Sequence, residues 1–141
     1  MSVAQFLVDT SALVRLLRDK NVRARWEQQA TAGLLAICPI VELEFLYTAQ
    51  SKADREDLAQ LLAATFVWVG MPDQVFRRAG EVQQLLTGRG WHRTASAVDL
   101  LIAATAELER LTLLHYDHDF DNVVVLTGQP MAWLARPGTI D

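Results

Sequence analysis

Four carboxylates stand where a short apolar run meets a polar one. Asp9 ends "FLVD", Glu44 lies in "VELEF", Asp99 opens "VDLLIAATA", and Asp117 begins "DHDFDN" after "LTLLHY". Oxygen ligands of this kind suit a hard cation such as Mg²⁺ or Mn²⁺. The plainer alternative is that they cap helices and line solvated turns. Asp9, followed by Thr10 and Ser11, could cap a helix, or sit at the mouth of a sheet with those two hydroxyls holding it. Asp99 lies three residues after Ser96, the spacing of a capping box. It also precedes a very apolar helical stretch, so its side chain turns toward the protein, where an unpaired charge is costly.

Other metal chemistries fit poorly. "DHDFDN" imitates the first ligands of a calcium loop, but the sixth position is Asn122 where glycine is needed, and the twelfth is Gly128 where glutamate is needed. His92, His115, His118 and Cys38 show no paired-ligand spacing for zinc. Between the two glutamates of "VELEF", helical geometry discriminates. At about 100° per residue, Glu44 falls roughly 65° and Glu42 roughly 135° from the summed apolar direction. Glu44 is therefore expected to edge inward and Glu42 to face water. Crowded carboxylates repel by about 4 kcal/mol per pair at 4 Å and an effective dielectric near 20. Several ionised together imply a compensating cation.

The elements that must position these acids alternate between strands and helices. Residues 5–9 read as a buried strand and 10–19 as a helix. A basic helix over 21–31 is closed by Gly33. A strand at 34–37 leads to Pro39, suited to the first turn of a helix running to about residue 50. Helices follow over 52–64, 73–87 and 97–109, with a strand at 66–70. "LTLL" and "NVVVL" read as the last strands. This alternation implies a mostly parallel sheet of four to five strands between helical layers, an α/β/α arrangement. Sites in such folds form at the carboxyl ends of strands, which singles out Asp9 and Asp117.

Composition sets the frame. The chain has 141 residues, 51% hydrophobic and 21% charged, with one cysteine and a net charge of −4. That predicts a single domain over 1–141 with a full core and no internal disulfide. No apolar run approaches the roughly 18 residues of a membrane span. "MSVAQFLVDTS" lacks the basic start of a secretory signal, so a cytoplasmic setting and no membrane partner are expected. The negative charge argues against non-specific coating of nucleic acid, unless the acids are committed to a metal. Five of the thirteen basic residues fall in 15–25, as expected of a solvated helix face. In "GRGWHR", Arg89, His92 and Arg93 flank Trp91, which could stack an unpaired base or simply pack.

The ordered blocks "VDTSAL", "CPIVELEF", "VDLLIAATA" and "LLHYDHDFDNV" resemble PIN-domain ribonucleases, most of all the VapC toxins of toxin–antitoxin pairs. The resemblance covers essentially the whole chain. It implies a PIN-like fold, with Asp9 and Asp99 as magnesium ligands and Glu44 and Asp117 as the second and fourth catalytic acids. Asp119 matches a further acid, and Thr10 and Ser11 match supporting positions. His115 stands where many members have Thr or Ser, and Cys38 where Ser is common. The implied activity is Mg²⁺-dependent endoribonucleolytic cleavage, with Mn²⁺ able to substitute, leaving a 5′ phosphate. The implied partners are a VapB-like antitoxin, an RNA substrate and a second copy of the chain.

Rival readings are weaker. A haloacid-dehalogenase-type phosphatase would need an aspartate two residues after Asp9, and Ser11 stands there. A response-regulator receiver would need a lysine near the last strands, but the only lysines are Lys20 and Lys52. A PIN scaffold that binds RNA or protein without cutting is the remaining alternative. Such proteins typically lack one or more of the acids, and all four are present here.

Overall fold

The computed structural model describes residues 4–141. Residues 1–3, which begin the segment read above as lacking a leader, lie outside the described residues. Five strands form one sheet: β1 (Phe6–Val8), β2 (Leu35–Ile37), β3 (Val67–Trp68), β4 (Thr112–His115) and β5 (Met131–Trp133). Their order is β3-β2-β1-β4-β5, and every pairing is parallel. Successive strand residues point to opposite faces. Leu7 and Val8, Leu35 to Ile37, and Leu113 and Leu114 are all buried, so the inner strands are covered on both sides.

The helices are α1 (Thr10–Arg18), α2 (Lys20–Thr31), α3 (Pro39–Leu46), α4 (Lys52–Thr65), α5 (Val75–Gly88), α6 (Ala97–Leu108) and α7 (Asp121–Thr127). Asp19 ends α1 and caps α2 by accepting from the amides of Asn21 and Val22. α3 stops at Leu46, short of the expected residue 50, in turns that include Thr48 donating to Phe45 O. After α2, Gly33 takes φ +74°, a left-handed turn that favours glycine.

One element differs in kind from its expectation. "NVVVL" forms α7, not a strand, and the last strand is the short "MAW" run, Met131–Trp133. Valine triplets favour strands when they can lie in a sheet, but topology decides here. A strand separated from β4 by six residues could join it only as an antiparallel hairpin. A parallel partner needs a crossover, and α7 is that crossover. It buries Val123 and ends at Gly128, φ +65°.

The order has a direct consequence for the site. From β1 the chain moves outward through β2 and β3, then returns to the other side of β1 as β4. The topological switch therefore lies between β1 and β4, the place where a crevice opens at the strand ends. Asp9 and Asp117 follow these two strands.

Candidate active site

Asp9 leaves β1 and caps α1. It is only 3% exposed. Ser11 donates to Asp9 Oδ2 twice, from its amide at 3.0 Å and its hydroxyl at 2.6 Å. The Ser11 hydroxyl in turn accepts the amide of Tyr116 at 2.9 Å, tying α1 to the end of β4. Burial raises the Asp9 pKa from its ordinary 3.8 to about 6; the Ser11 bonds oppose the rise, and the charges of Asp99 and Glu44 add to it. Thr10, expected beside Asp9, donates instead to Glu44 Oε1 at 2.5 Å.

Glu44 is half-buried on α3. Glu42 departs from its expectation: it is also half-buried and accepts the indole N–H of Trp68 at 3.2 Å. The reason is that Leu43 and Tyr47, two of the apolar residues that enter the summed direction, are 64% and 90% exposed. They skewed the apolar direction from which the helical faces were read.

Asp99 occupies the first turn of α6, whose N-terminal end favours negative charge. The capping box is formed: Ser96 N donates to Asp99 Oδ2 at 3.0 Å, and Asp99 N to Ser96 Oγ at 3.1 Å. The capping reading of Asp99 is thus realised. An ionised carboxylate has about four acceptor positions, and the box uses one.

Asp117 stands two residues beyond β4 and caps a 3₁₀ turn (His118–Phe120), accepting the Asp119 amide at 2.8 Å. Asp119 is exposed; partial desolvation raises its pKa, with the charges of Asp117 and Asp99 adding. His115 is 3% exposed and lies between Phe120 and Trp133, ring centroids 5.1 and 4.7 Å away. Its Nδ1 accepts the Asp117 amide at 3.2 Å, and burial lowers its pKa. In the position where many members have Thr or Ser, it therefore bonds backbone.

These interactions link the acids into one electrostatic neighbourhood: Asp9 with Glu44 and Asp99, and Asp119 with Asp99 and Asp117. Among the described residues, no three or more His, Cys, Asp or Glu side chains form a ready-made metal cage. An open set of oxygens still suits Mg²⁺, which keeps several waters and binds through one or two carboxylates plus substrate phosphate. A buried carboxylate with acidic neighbours fits a group that brings positive charge.

The basic residues divide. Arg23 donates to the carbonyls of Leu16 and Leu17, Arg18 to Asp141 O, and Arg15 to Ser11 O. Three of the five cations in 15–25 thus hold backbone, which the expectation of a solvated face overlooked. Trp91 packs partly on the core with Arg89 5.2 Å from its ring, while His92 and Arg93 are exposed. Sequence reasoning also missed Tyr116 and Trp133. Tyr116 could have been found from its place between His115 and Asp117; Trp133 could not, without the short last strand.

The PIN-domain family model matches residues 6–126. Ribonuclease VapC21 of Mycobacterium tuberculosis is 40% identical over 135 residues, covering 96% of this chain and 97% of that protein. Ribonuclease VapC2 of the same organism is 44% identical over 131 residues, 92% of each chain. Among solved structures, VapBC2 from Rickettsia felis bound to a promoter DNA fragment matches with a TM-score of 0.75 at 19% identity, over 91% of this chain and 97% of that one. That last likeness speaks for the fold, and the sequence relatives carry the rest: the chain belongs to the PIN-domain family, in its VapC ribonuclease group.

Proposed function

We propose that this protein is a divalent-metal-dependent endoribonuclease and the toxin of a type II toxin–antitoxin pair, formed as one PIN domain over 1–141. The observation that carries the reading is Asp9: a buried carboxylate at the topological switch, pinned by Ser11 and crowded by Asp99 and Glu44. Asp9 and Asp99 would hold Mg²⁺, with Mn²⁺ able to replace it. When bound, the ion supplies positive charge to the scissile phosphate and acidity to water. Ser11 keeps the Asp9 carboxylate oriented, and Thr10 does the same for Glu44. Glu44 and Asp117 orient the attacking water as hydrogen-bond acceptors, while Asp119 adds negative charge at the rim. In-line attack at phosphorus expels the 3′ oxygen and leaves a 5′ phosphate. Arg89 and Arg93 would provide cations for the RNA backbone, with His92 as a hydrogen-bonding neighbour, and the exposed part of Trp91 offers a surface for a base.

The relatives named Ribonuclease VapC support the activity, and the VapBC complexes among the fold neighbours support a VapB-like antitoxin. A second copy of the chain and a cytoplasmic setting complete the proposal. Among the described residues, no helix is long and apolar enough to cross a membrane. The test is incubation of purified protein with total cellular RNA and Mg²⁺. Discrete fragments with 5′ phosphates, abolished by chelator, are expected. RNA binding without cleavage in any divalent ion would instead identify a non-cutting PIN scaffold.

A further inference from the structure

The hydrogen bonds that hold Asp9 do not end at Ser11. Tyr116 N donates to the Ser11 hydroxyl, and the Tyr116 phenol reaches the opposite way, into the C-terminal segment. Its O–H lies 3.1 Å from Ile140 O and 3.5 Å from Arg136 O, and it accepts the Ile140 amide at 3.2 Å. The segment is anchored at both ends. Leu134 and Ala135 are buried, and Leu134 O accepts the Trp26 indole N–H at 3.0 Å. At the far end, Arg18 donates to Asp141 O at 3.1 Å.

Arg15 closes the arrangement from α1. It donates to Ser11 O at 2.7 Å and places its guanidinium carbon 4.7 Å from the centre of the Tyr116 ring. Its Nε is buried without a hydrogen-bond partner among the described residues, so the group is fixed by packing as well as by that single bond. Trp133 meets the Tyr116 ring edge-on, centroids 5.6 Å apart. Ser11 is thus gripped at its carbonyl by Arg15 and at its hydroxyl by Tyr116, and Tyr116 is gripped by residues 136–141.

We propose that the C-terminal segment 136–141 is a strap that positions the metal-holding carboxylate, acting through Tyr116 and Ser11 on Asp9, with Arg15 as its clamp. Tyr116 and Arg15 are positioning residues and touch neither substrate nor metal. The inference rests on the metal-dependent reading of the site. It differs from a purely structural role because it ties a surface segment far along the chain to ion affinity.

The test compares wild type with Tyr116→Phe, which loses the phenol bonds and keeps both the backbone amide and the ring. Ile140→Pro removes the amide that donates to Tyr116 without altering Tyr116 itself. Calorimetric titration with Mn²⁺ alone should give an affinity about threefold to tenfold weaker in each variant. Turnover on RNA should fall by a similar factor with KM little changed. The double variant should lose no more than the worse single one, because both break the same connection. Unchanged Mn²⁺ affinity in the folded single variants, or losses that simply add, would overturn the strap. Should Tyr116→Phe fail to fold, Ile140→Pro alone decides by the same affinity change. A wild type that takes up no Mn²⁺ and cuts no RNA would instead refute the nuclease reading beneath it.

Discussion

Asp9 and Asp117 each follow one of two paired parallel strands, yet the two ends of the site are built differently. Asp9 is buried, receives two bonds from Ser11, and carries a pKa raised to about 6. The Asp117 end is an open 3₁₀ turn: Asp117 is half-buried, Asp119 and Asp121 are exposed, and Asp121 pairs with His118 at 2.8 Å. Strand order places both acids after the carboxyl ends of adjacent strands, and burial sets how much electrostatic load each one bears. A bound cation has most to relieve at Asp9. The Asp117 end is open to water.

That contrast can be broken, beginning with catalysis. Asp9→Asn and Asp99→Asn should each lower RNA cleavage at least about a hundredfold, the order of loss when a charge-stabilising group is removed. Asp119→Asn should cost much less. Fragment yields on one RNA rank the three, and Asp9→Asn cutting as well as wild type would remove Asp9 from its role.

Stability should move the other way at Asp9. Its folded pKa lies above the unfolded one, so the folded protein binds more protons between pH 3.8 and about 6, and stability falls as pH rises through that window. A shift of this size corresponds to about 3 kcal/mol of destabilisation at neutral pH without metal. His115 works in the opposite sense: its lowered pKa costs stability as pH falls below its ordinary 6.5. Comparing Asp9→Asn with wild type isolates Asp9. In chelator at pH 7.5 the variant should be the more stable in denaturant titration, with the difference fading toward pH 4.

A smaller effect is expected at His115. His115→Phe leaves the Asp117 amide without its acceptor, a loss of about 1 kcal/mol, and cleavage should fall several-fold. His115→Asn keeps an acceptor near the Nδ1 position and should recover part of the activity. The smallest effect belongs to Glu42→Gln, which can still accept from Trp68; stability should stay within about 0.5 kcal/mol and cleavage should be unchanged.

Much of the Asp9 end was legible in the sequence, because an apolar strand, an aspartate and two small hydroxyl residues are local signals. The parallel sheet followed from the alternation of elements; that β1 lies beside β4 is seen in the fold. What stayed hidden was decided at a distance. The "NVVVL" run forms a helix because a parallel neighbour of β4 needs a crossover, a constraint no local window contains. Glu42 meets Trp68 across 26 residues, and Leu43 and Tyr47 stay exposed despite their type. Thr10 serves Glu44, not Asp9, because α1 and α3 come together in the fold. The Tyr116 phenol meets residues 136 and 140 across 20 and 24 residues.

Mn²⁺ titration of the metal-free protein, followed by calorimetry at pH 7.5 for wild type, Asp9→Asn, Asp99→Asn and Glu42→Gln, addresses the shared acidic site most directly. Saturable uptake should appear in wild type and Glu42→Gln and be lost or strongly weakened in the two aspartate variants. Equal uptake by all four proteins, or none by folded wild type, would contradict a cation held between β1 and α6.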